Sequence, residues 1–172
     1  MKTAIIIGGP AGCGKSTIAE EISKKFCIPF LEGDSLHSKE NIDKMSRNIP
    51  LKDEDRWVWL ESIVSEIKEI LEKSNAVVVT CSALKKSYRD ILRSSNLEID
   101  TKIIILNLTF EDALKRVSER TSHYMKAAMV ESQFHDFELP VNEKETVVLE
   151  THLLDKEEVV KDTFYYVGKW LK

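Results

Sequence analysis

Long apolar runs are missing from this sequence, which holds no stretch of the length needed to cross a bilayer. Met1 and Lys2 could open a signal peptide, but the apolar run after them stops at Ile7 and is too short for the apolar region of such a peptide. We therefore expect no membrane partner and a protein that stays in the compartment where it is made.

Cysteine is also scarce. Cys13, Cys27 and Cys81 are an odd number of scattered thiols without the spacing of a disulfide framework or a metal site. This usage favours a reducing, cytoplasmic environment. Cys13 lies in a glycine-rich stretch, and we interpret it as a small filler, with a redox role as the alternative.

The chain also lacks an excess of positive charge. Its 25 Lys and Arg residues against 29 Asp and Glu residues give a formal net charge of −4. This balance argues against nucleic acid or an anionic membrane as the main partner. With 172 residues, 42% apolar and 31% charged, and no repeat, low-complexity tract or linker, the sequence predicts one globular domain over residues 1–172.

The clearest motif that is present is IIIGGPAGCGKST, residues 5–17. Its spacing G-x-x-x-x-G-K-[ST] predicts a loop over residues 9–17 that holds the phosphates of ATP. Glycines let successive backbone N–H groups point at one anion, and the helix that follows brings its positive end to the same place. We expect Lys15 to reach the β- and γ-phosphates and Ser16 to ligate Mg²⁺. The predicted loop residues that bind nucleotide are Gly9, Gly12, Gly14, Lys15, Ser16 and Thr17.

Strand-like and helical patterns alternate along the chain. The strand-like runs are residues 4–7, 28–31, 76–81, 102–108 and 145–149, and the longest helical stripe begins near Asp53. Asp155 with Glu158 has the pattern of a capping box before the last helix. Near-continuous apolar strands between helices indicate a parallel sheet covered on both faces. The predicted fold is a three-layer α/β domain around a five-stranded parallel sheet.

In open α/β sheets the ligand lies beyond the carboxyl ends of the strands, which directs attention to EGDSLH, residues 32–37. Asp34 follows its strand closely, where a carboxylate can accept a proton from an attacking hydroxyl or hold a Mg²⁺-bound water. The alternative is an aspartate that merely forms a turn beside Gly33.

Two sets of catalytic parts are missing. Neither AVVVTC (76–81) nor KIIILNL (102–108) ends in the aspartate that motor ATPases and GTPases use on Mg²⁺, and the H-R-D and D-F-G motifs of protein kinases are absent. These absences favour a kinase of a small metabolite, which needs a lid to exclude water. Residues 116–134 fit such a lid, with Arg116 and Arg120 directed at the nucleotide. The alternative for both arginines is a solvated helix face.

Longer motifs resemble one family. EGDSLHSKENIDKMSRNIPLKDEDRWVWL (32–60) resembles the gluconokinase signature G-D-x-L-H-x-x-x-N-I-x-K-M-x-x-G-x-P-L-x-D-x-D-R-x-x-W-L. CSALKKSYRDILR (81–93) is similar to that family's C-S-A-L-K-x-x-Y-R-D-x-L-R, and residues 122–140 to its H-F-M and S-Q-F-x-x-L-E-x-P pattern. With the phosphate loop, the match covers most of the chain in family order. Asn48 stands where a glycine is usual, and asparagine can hold the left-handed turn instead.

This resemblance implies transfer of the ATP γ-phosphate to the 6-hydroxyl of D-gluconate, on a fold like that of nucleoside monophosphate kinases. It also implies a substrate-binding segment at 32–60, a lid at about 120–140, and Asp34 as base or substrate-hydroxyl ligand. Gluconate is an anion rich in hydroxyls, so its site needs a cation and neutral hydrogen-bonding groups. The other substrate-binding candidates are His37, Lys44, Arg56, Tyr88, Arg89, His123 and Gln133.

Among these candidates, Arg56 is the best carboxylate clamp, because a guanidinium binds a carboxylate through two parallel hydrogen bonds. The alternative for Arg56 is an ion pair in the first helical turn with Asp53 or Asp55.

Other functions stay open at this point. One is a kinase of another small metabolite, such as shikimate or a nucleoside monophosphate. The nucleotide version would need a dense arginine cluster, and residues 34–60 offer only Arg47 and Arg56. A second is a nucleotide-binding module without turnover, against which the intact Lys15 and Asp34 argue. The sequence is compatible with a homodimer and does not determine the oligomeric state.

Overall fold

A parallel sheet forms the centre of the fold. The structure is a computed structural model that describes residues 1–94, 98–120 and 124–172, without the side chains at positions 94, 120 and 124–126. The strands in these ranges are β1 (Lys2–Gly8), β2 (Phe30–Glu32), β3 (Ala76–Thr80), β4 (Ile99–Asn107) and β5 (Thr146–Glu150). They lie in the order β2-β3-β1-β4-β5, and every neighbouring pair is parallel. The predicted five-stranded parallel sheet is confirmed.

The described helices are α1 (Lys15–Phe26), α2 (Lys39–Ser46), α3 (Asp53–Lys73), α4 (Lys86–Ser94), α5 (Phe110–Arg120), α6 (Tyr124–Asp136) and α7 (Lys156–Trp170), with a short 3₁₀ turn at Gly33–Leu36. Helix α3 begins at Asp53, where the predicted helical stripe begins. Helix α7 begins with the predicted capping box, in which the backbone N–H groups of Asp155 and Glu158 each donate to the other's carboxylate over 2.8 Å.

The second strand lies two residues later than predicted. Helix α1 ends at Phe26 and is followed by the capping residue Cys27, which has a φ of 53°, and the N–H of Ile28 donates back to the carbonyl of Ser23 over 3.3 Å. These contacts close the helix through Ile28, so the start of the apolar run 28–31 belongs to a helix terminus. The apolar pattern alone does not distinguish that terminus from a strand.

The two faces of the sheet bury different helices, because successive strand residues point to opposite sides. Ala4 and Ile6 of β1 belong to the core beneath α3 and α4, whereas Ile5 and Ile7 belong to the core beneath α1, α5, α6 and α7. Each fully buried isoleucine side chain contributes about 1.5–3 kcal/mol to the free energy of folding, relative to an exposed one. The predicted three-layer architecture is therefore confirmed.

A buried ion cluster ties α4 to the segment before β5. The guanidinium of Arg89 is fully buried, donates to both oxygens of Glu143 over 2.6 and 2.9 Å, and donates to the carbonyls of Ala83 and Leu84. Arg93 donates to the same carboxylate over 3.0 Å. The hydrogen bond from Arg89 holds the pKa of Glu143 below its usual range. These bonds satisfy charges that would otherwise be costly to bury.

The carboxyl ends of the parallel strands share one edge of the sheet, and the phosphate loop, the 3₁₀ turn and α6 all border the cleft there. None of the helices in the described part of the chain has the length and apolar character needed to cross a membrane.

Candidate active site

A cavity of about 370 Å³ opens at this edge of the sheet. The phosphate loop lines one side, the segment from Glu32 to Trp59 lines another, and α6 contributes Met129 and Gln133. Asn48 also lines it with a φ of 55°, which is the left-handed turn expected of this residue. The substrate-binding segment and the phosphate loop, which lie apart in sequence, thus face one cavity.

The phosphate loop has the backbone that its glycines allow. Gly9, Gly12 and Gly14 have φ values of 132°, 81° and 94°. A Cβ at Gly9 would lie 2.5 Å from the carbonyl oxygen of Leu106, so this position also has no room for a side chain. Lys15 donates through Nζ to the carbonyls of Gly9 and Pro10 over 3.0 and 3.2 Å. Its ammonium is therefore held over the loop, where it fits a bound phosphate.

Glu32, at the end of β2, is a site residue that sequence reasoning missed. Ser16 donates through Oγ to Glu32 Oε2 over 2.7 Å, and Thr80 donates through Oγ1 to Glu32 Oε1 over 2.5 Å. Thr80 ends β3, the strand that lacks the expected aspartate. The neighbouring strand thus supplies the carboxylate. The available signal was a glutamate at a strand end beside Asp34, but sequence alone does not show which strands are neighbours.

The arrangement of Ser16 and Glu32 suits Mg²⁺, which prefers hard oxygen ligands and binds through few protein groups when phosphates supply the rest. The described side chains contain no group of three or more His, Cys, Asp and Glu residues that could hold a metal by themselves.

Asp34 and His37 lie close together and both line the cavity. The Asp34 carboxylate is 70% exposed, and its Oδ1 lies 3.9 Å from Nε2 of His37, beyond hydrogen-bonding distance. The His37 ring stacks on Trp59 with centroids 4.2 Å apart, and Trp59 donates through Nε1 to the carbonyl of Gly33 over 2.8 Å. Burial lowers the pKa of His37, with Arg56 lowering it further and Asp34 opposing. Trp59 thus forms part of the cavity wall.

Arg56 lines the cavity, although it is only 7% exposed. Its Nη1 donates to the hydroxyl of Tyr88 over 3.2 Å and to Asp136 Oδ2 over 2.8 Å. Burial alone would lower the pKa of Arg56, but these two hydrogen bonds outweigh it and raise the pKa. Its ion-pair partner is therefore Asp136 at the end of α6, and the first-turn pair with Asp53 or Asp55 that the sequence left open does not form.

Lys44 and Tyr88 do not line the cavity, because nearby carboxylates engage both. Lys44 forms a 2.6 Å ion pair with Asp55, and the fully buried Tyr88 donates its hydroxyl to Asp53. These contacts direct Lys44 and Tyr88 at carboxylates of α3, and neither side chain lines the cavity.

Arg89 is likewise directed away from the cavity, towards Glu143. Its guanidinium is fully buried in the ion cluster described above, and this position gives it a structural role. A substrate carboxylate could reach Arg89 only if that cluster broke.

Helices α5 and α6 contact the phosphate loop directly. The N–H of Ala11 donates to Gln133 Oε1 over 2.8 Å, and Arg116 donates through Nη1 to the carbonyl of Gly12 over 3.3 Å. Gln133 and Arg116 therefore lie beside the predicted phosphate site. The side chain of Arg120 and the whole of His123 lie outside the described residues.

The free thiols of Cys13, in the phosphate loop, and of Cys81, directly after β3, are both buried. Burial raises the pKa of Cys81 to about 12, which leaves its thiol unreactive at neutral pH.

Comparisons with known proteins identify relatives of this chain. A family profile described as shikimate kinase matches residues 11–165. The chain is 45% identical over 151 residues to a probable gluconokinase of Schizosaccharomyces pombe, covering 86% of this chain and 78% of that protein. It is 33% identical over 165 residues to the thermoresistant gluconokinase of Escherichia coli K12, covering 95% and 93%.

The fold is also that of a solved structure described as a gluconokinase from Sinorhizobium meliloti 1021. That structure superimposes with a TM-score of 0.85 and 36% sequence identity, covering 98% of this chain and 93% of the other.

Proposed function

This chain belongs to the gluconokinase family of phosphate-loop kinases, and we propose that it transfers the γ-phosphate of ATP to the 6-hydroxyl of D-gluconate, giving 6-phospho-D-gluconate. It is an ATP-dependent kinase of a small molecule. The observation that carries the choice of an acidic substrate is Arg56, a buried guanidinium held on one side by Asp136 and Tyr88 while it lines the cavity that the phosphate loop faces.

The loop residues hold the nucleotide. The N–H groups around Gly12 and Gly14 and the first turn of α1 bind the phosphates, and Lys15 leaves the carbonyls of Gly9 and Pro10 to neutralise the charge that moves during transfer. Ser16 would hold Mg²⁺, with its hydroxyl oriented by Glu32. The ion would supply charge neutralisation during the transfer.

Asp34 acts on the acceptor. Its exposed carboxylate lies in the same cavity as the loop, and it accepts the proton of the attacking hydroxyl.

Helix α6 is the body of the lid: Gln133 contacts Ala11 of the loop, and Asp136 contacts Arg56 on the substrate side. An element that bears on both halves of the cavity is suited to exclude water when both substrates are bound.

Arg56 reads the substrate carboxylate. Nη1 is occupied by Tyr88 and Asp136, and among the described residues none accepts a hydrogen bond from Nε or Nη2. A carboxylate that binds these two nitrogens would form the paired hydrogen bonds for which a guanidinium is suited. The ion pair with Asp136 keeps the guanidinium in that orientation.

Shikimate is also a carboxylate rich in hydroxyls, so Arg56 alone does not distinguish it from gluconate. The extent of the match to several gluconokinases, at 33–45% identity over most of the chain, favours gluconate. A homodimer and a cytoplasmic location stay predictions.

A substrate panel tests this proposal. D-Gluconate, D-glucose, shikimate and a nucleoside monophosphate are each incubated with enzyme and Mg-ATP, and ADP release is followed. The expected result is rapid release with gluconate only. ADP release with shikimate alone would show that the chain is a shikimate kinase instead. ADP release with none of the four compounds would favour a nucleotide-binding module without turnover.

A further inference from the structure

The ring of His37 is fixed in its plane by its neighbours. It stacks on Trp59 at an interplanar angle of 15°, and the Trp59 side chain is itself anchored to the carbonyl of Gly33. Only 6% of the His37 side chain is exposed. The orientation of the two ring nitrogens is therefore set by the protein, and their hydrogen-bond partners can be assigned.

Asn41 determines which nitrogen carries the proton. This residue is 5% exposed, and its side-chain Nδ2 donates to the backbone carbonyl of Asp55 over 3.0 Å. A carbonyl only accepts, so the contact fixes the orientation of the Asn41 amide. The same Nδ2 lies 3.3 Å from His37 Nδ1. Because Nδ2 is a donor, Nδ1 is the acceptor and holds no proton, and the neutral ring carries its proton on Nε2.

The protonated nitrogen faces the cavity beside the base. Nε2 lies 3.9 Å from Asp34 Oδ1, and both residues line the cavity. The charged groups that face the ring are Asp34, from the turn before α2, and Arg56, from α3. Burial and Arg56 together outweigh Asp34 and lower the pKa of His37, which agrees with a neutral ring at physiological pH.

We propose that Asn41 is a positioning residue that holds His37 as the Nε2–H tautomer, so that His37 acts as a hydrogen-bond donor to a hydroxyl oxygen of the bound polyol next to Asp34. The consequence for the reaction rests on the proposed function. A ring that presents no acceptor nitrogen to the cavity does not take the proton of the attacking hydroxyl, which goes to Asp34 instead. His37 thus orients the substrate and keeps its own proton throughout.

A purely structural role for Asn41 makes different predictions. Its hydrogen bond to Asp55 joins α2 to α3, and a variant at position 41 could act by loosening that joint. Such a variant would lower stability without changing where the His37 proton resides. The position of the His37 proton must therefore be measured directly, and the donor role of His37 must be tested without a substitution at Asn41.

The first measurement is the nitrogen NMR spectrum of the imidazoles in the full chain without substrate, with His37 assigned by its loss in His37→Gln. The expected signal is that of a neutral ring protonated on Nε2. In Asn41→Asp the carboxylate accepts from Nδ1, so the proton moves to Nδ1 or both nitrogens become protonated. Asn75→Asp, the same change at an exposed position before β3, leaves the His37 signal unchanged. A wild-type ring protonated on Nδ1 would overturn the proposal.

The second measurement compares His37→Gln with His37→Asn, which needs no substitution at Asn41. A glutamine places its amide N–H near the position of Nε2–H, whereas an asparagine reaches only as far as Nδ1. We expect kcat/KM for gluconate to be about tenfold higher in the glutamine variant, with the KM for ATP alike in both. Equal values in the two variants would overturn the donor role. If wild type fails to phosphorylate gluconate, the proposed function fails, but the tautomer measurement still decides the role of Asn41.

Discussion

Asp136, in the last turn of α6, accepts a 2.8 Å hydrogen bond from Arg56, which is 80 residues away in the first turn of α3. The Arg56 side chain is 8% exposed and that of Asp136 is 18% exposed, so water screens this ion pair little. Three residues before Asp136, Gln133 contacts the phosphate loop. Helix α6 therefore contacts both Arg56, which is proposed to bind the substrate carboxylate, and the phosphate loop, which is proposed to hold ATP.

Asp136→Asn tests this link. An asparagine oxygen can still accept from Arg56 but brings no charge, so we expect a loss of about 1–3 kcal/mol in the free energy of unfolding. Because Arg56 is then less firmly oriented, the KM for gluconate should rise by about tenfold while the KM for ATP changes little. Steady-state kinetics and urea unfolding measure both effects. Glu157→Gln, which removes an exposed carboxylate on α7, serves as the control. An unchanged KM for gluconate would show that Asp136 does not contribute to substrate binding.

Lys15→Met tests the phosphate loop. The ammonium is expected to stabilise charge on the transferring phosphate, and its loss should lower kcat by several orders of magnitude in a protein that stays folded. Lys24→Met removes an exposed ammonium from the last turn of the same helix and should leave kcat unchanged. A folded Lys15→Met enzyme with near-normal kcat would refute the assignment of the loop.

Asp34→Asn tests the base. The amide keeps the shape of the carboxylate and loses its ability to accept a proton, so gluconate phosphorylation should fall by roughly a hundredfold or more. ATP binding, measured by calorimetry, should persist because Asp34 is not part of the loop. If activity is retained, Asp34 is a turn residue, and Glu32 becomes the next candidate.

Glu143→Gln tests the buried ion cluster through its pH dependence. The folded pKa of Glu143 is lowered by its hydrogen bond to Arg89, so its stabilising contribution is complete above its ordinary pKa, near 4.5, and is lost as pH falls through the lower folded pKa. At pH 7 the variant should be about 3 kcal/mol less stable, because Arg89 stays buried without its counter-charge. The difference from wild type should shrink below about pH 4.5.

Chemical unfolding at several pH values measures this difference. Asp43→Asn removes one partner of an exposed ion pair with Arg47, and its effect should stay within about 1 kcal/mol at every pH. A pH-independent difference for Glu143→Gln would mean that its carboxylate is not the stabilising group.

The sequence allowed the fold to be predicted because local signals and the global architecture agree. The apolar strands, the α3 stripe and the Asp155 capping box each specify an element without reference to distant residues. The site was predictable where chemistry lies in one contiguous motif, as in residues 9–17. Ion-pair partners that are distant in sequence were not predictable. That Asp136 neutralises Arg56 and that Glu143 neutralises Arg89 depends on which helix and loop lie opposite, and no local spacing encodes this.

Glu32 also could not be assigned from sequence, because its role depends on which strands are neighbours. The sequence shows that β3 ends in Thr80 rather than an aspartate, but only the strand order brings the Glu32 carboxylate to Thr80 and Ser16. A motif search that expects the carboxylate on β3 finds none, because the chain places it on the adjacent strand.

The most direct test is the ratio of kcat/KM for D-gluconate to that for D-glucose, measured on wild type and on Arg56→Lys, with circular dichroism confirming that both are folded. With a neutral acceptor, Asp136 still pairs with Nη1 of Arg56, but Nε and Nη2 of the buried guanidinium are left without an acceptor, a penalty on the order of 2–5 kcal/mol. We therefore expect wild type to prefer gluconate by roughly 30-fold to several thousandfold, and Arg56→Lys to lose much of that preference, because a point charge does not reproduce the paired hydrogen bonds. A wild-type enzyme that uses glucose as well as gluconate would contradict the assignment of a sugar-acid kinase.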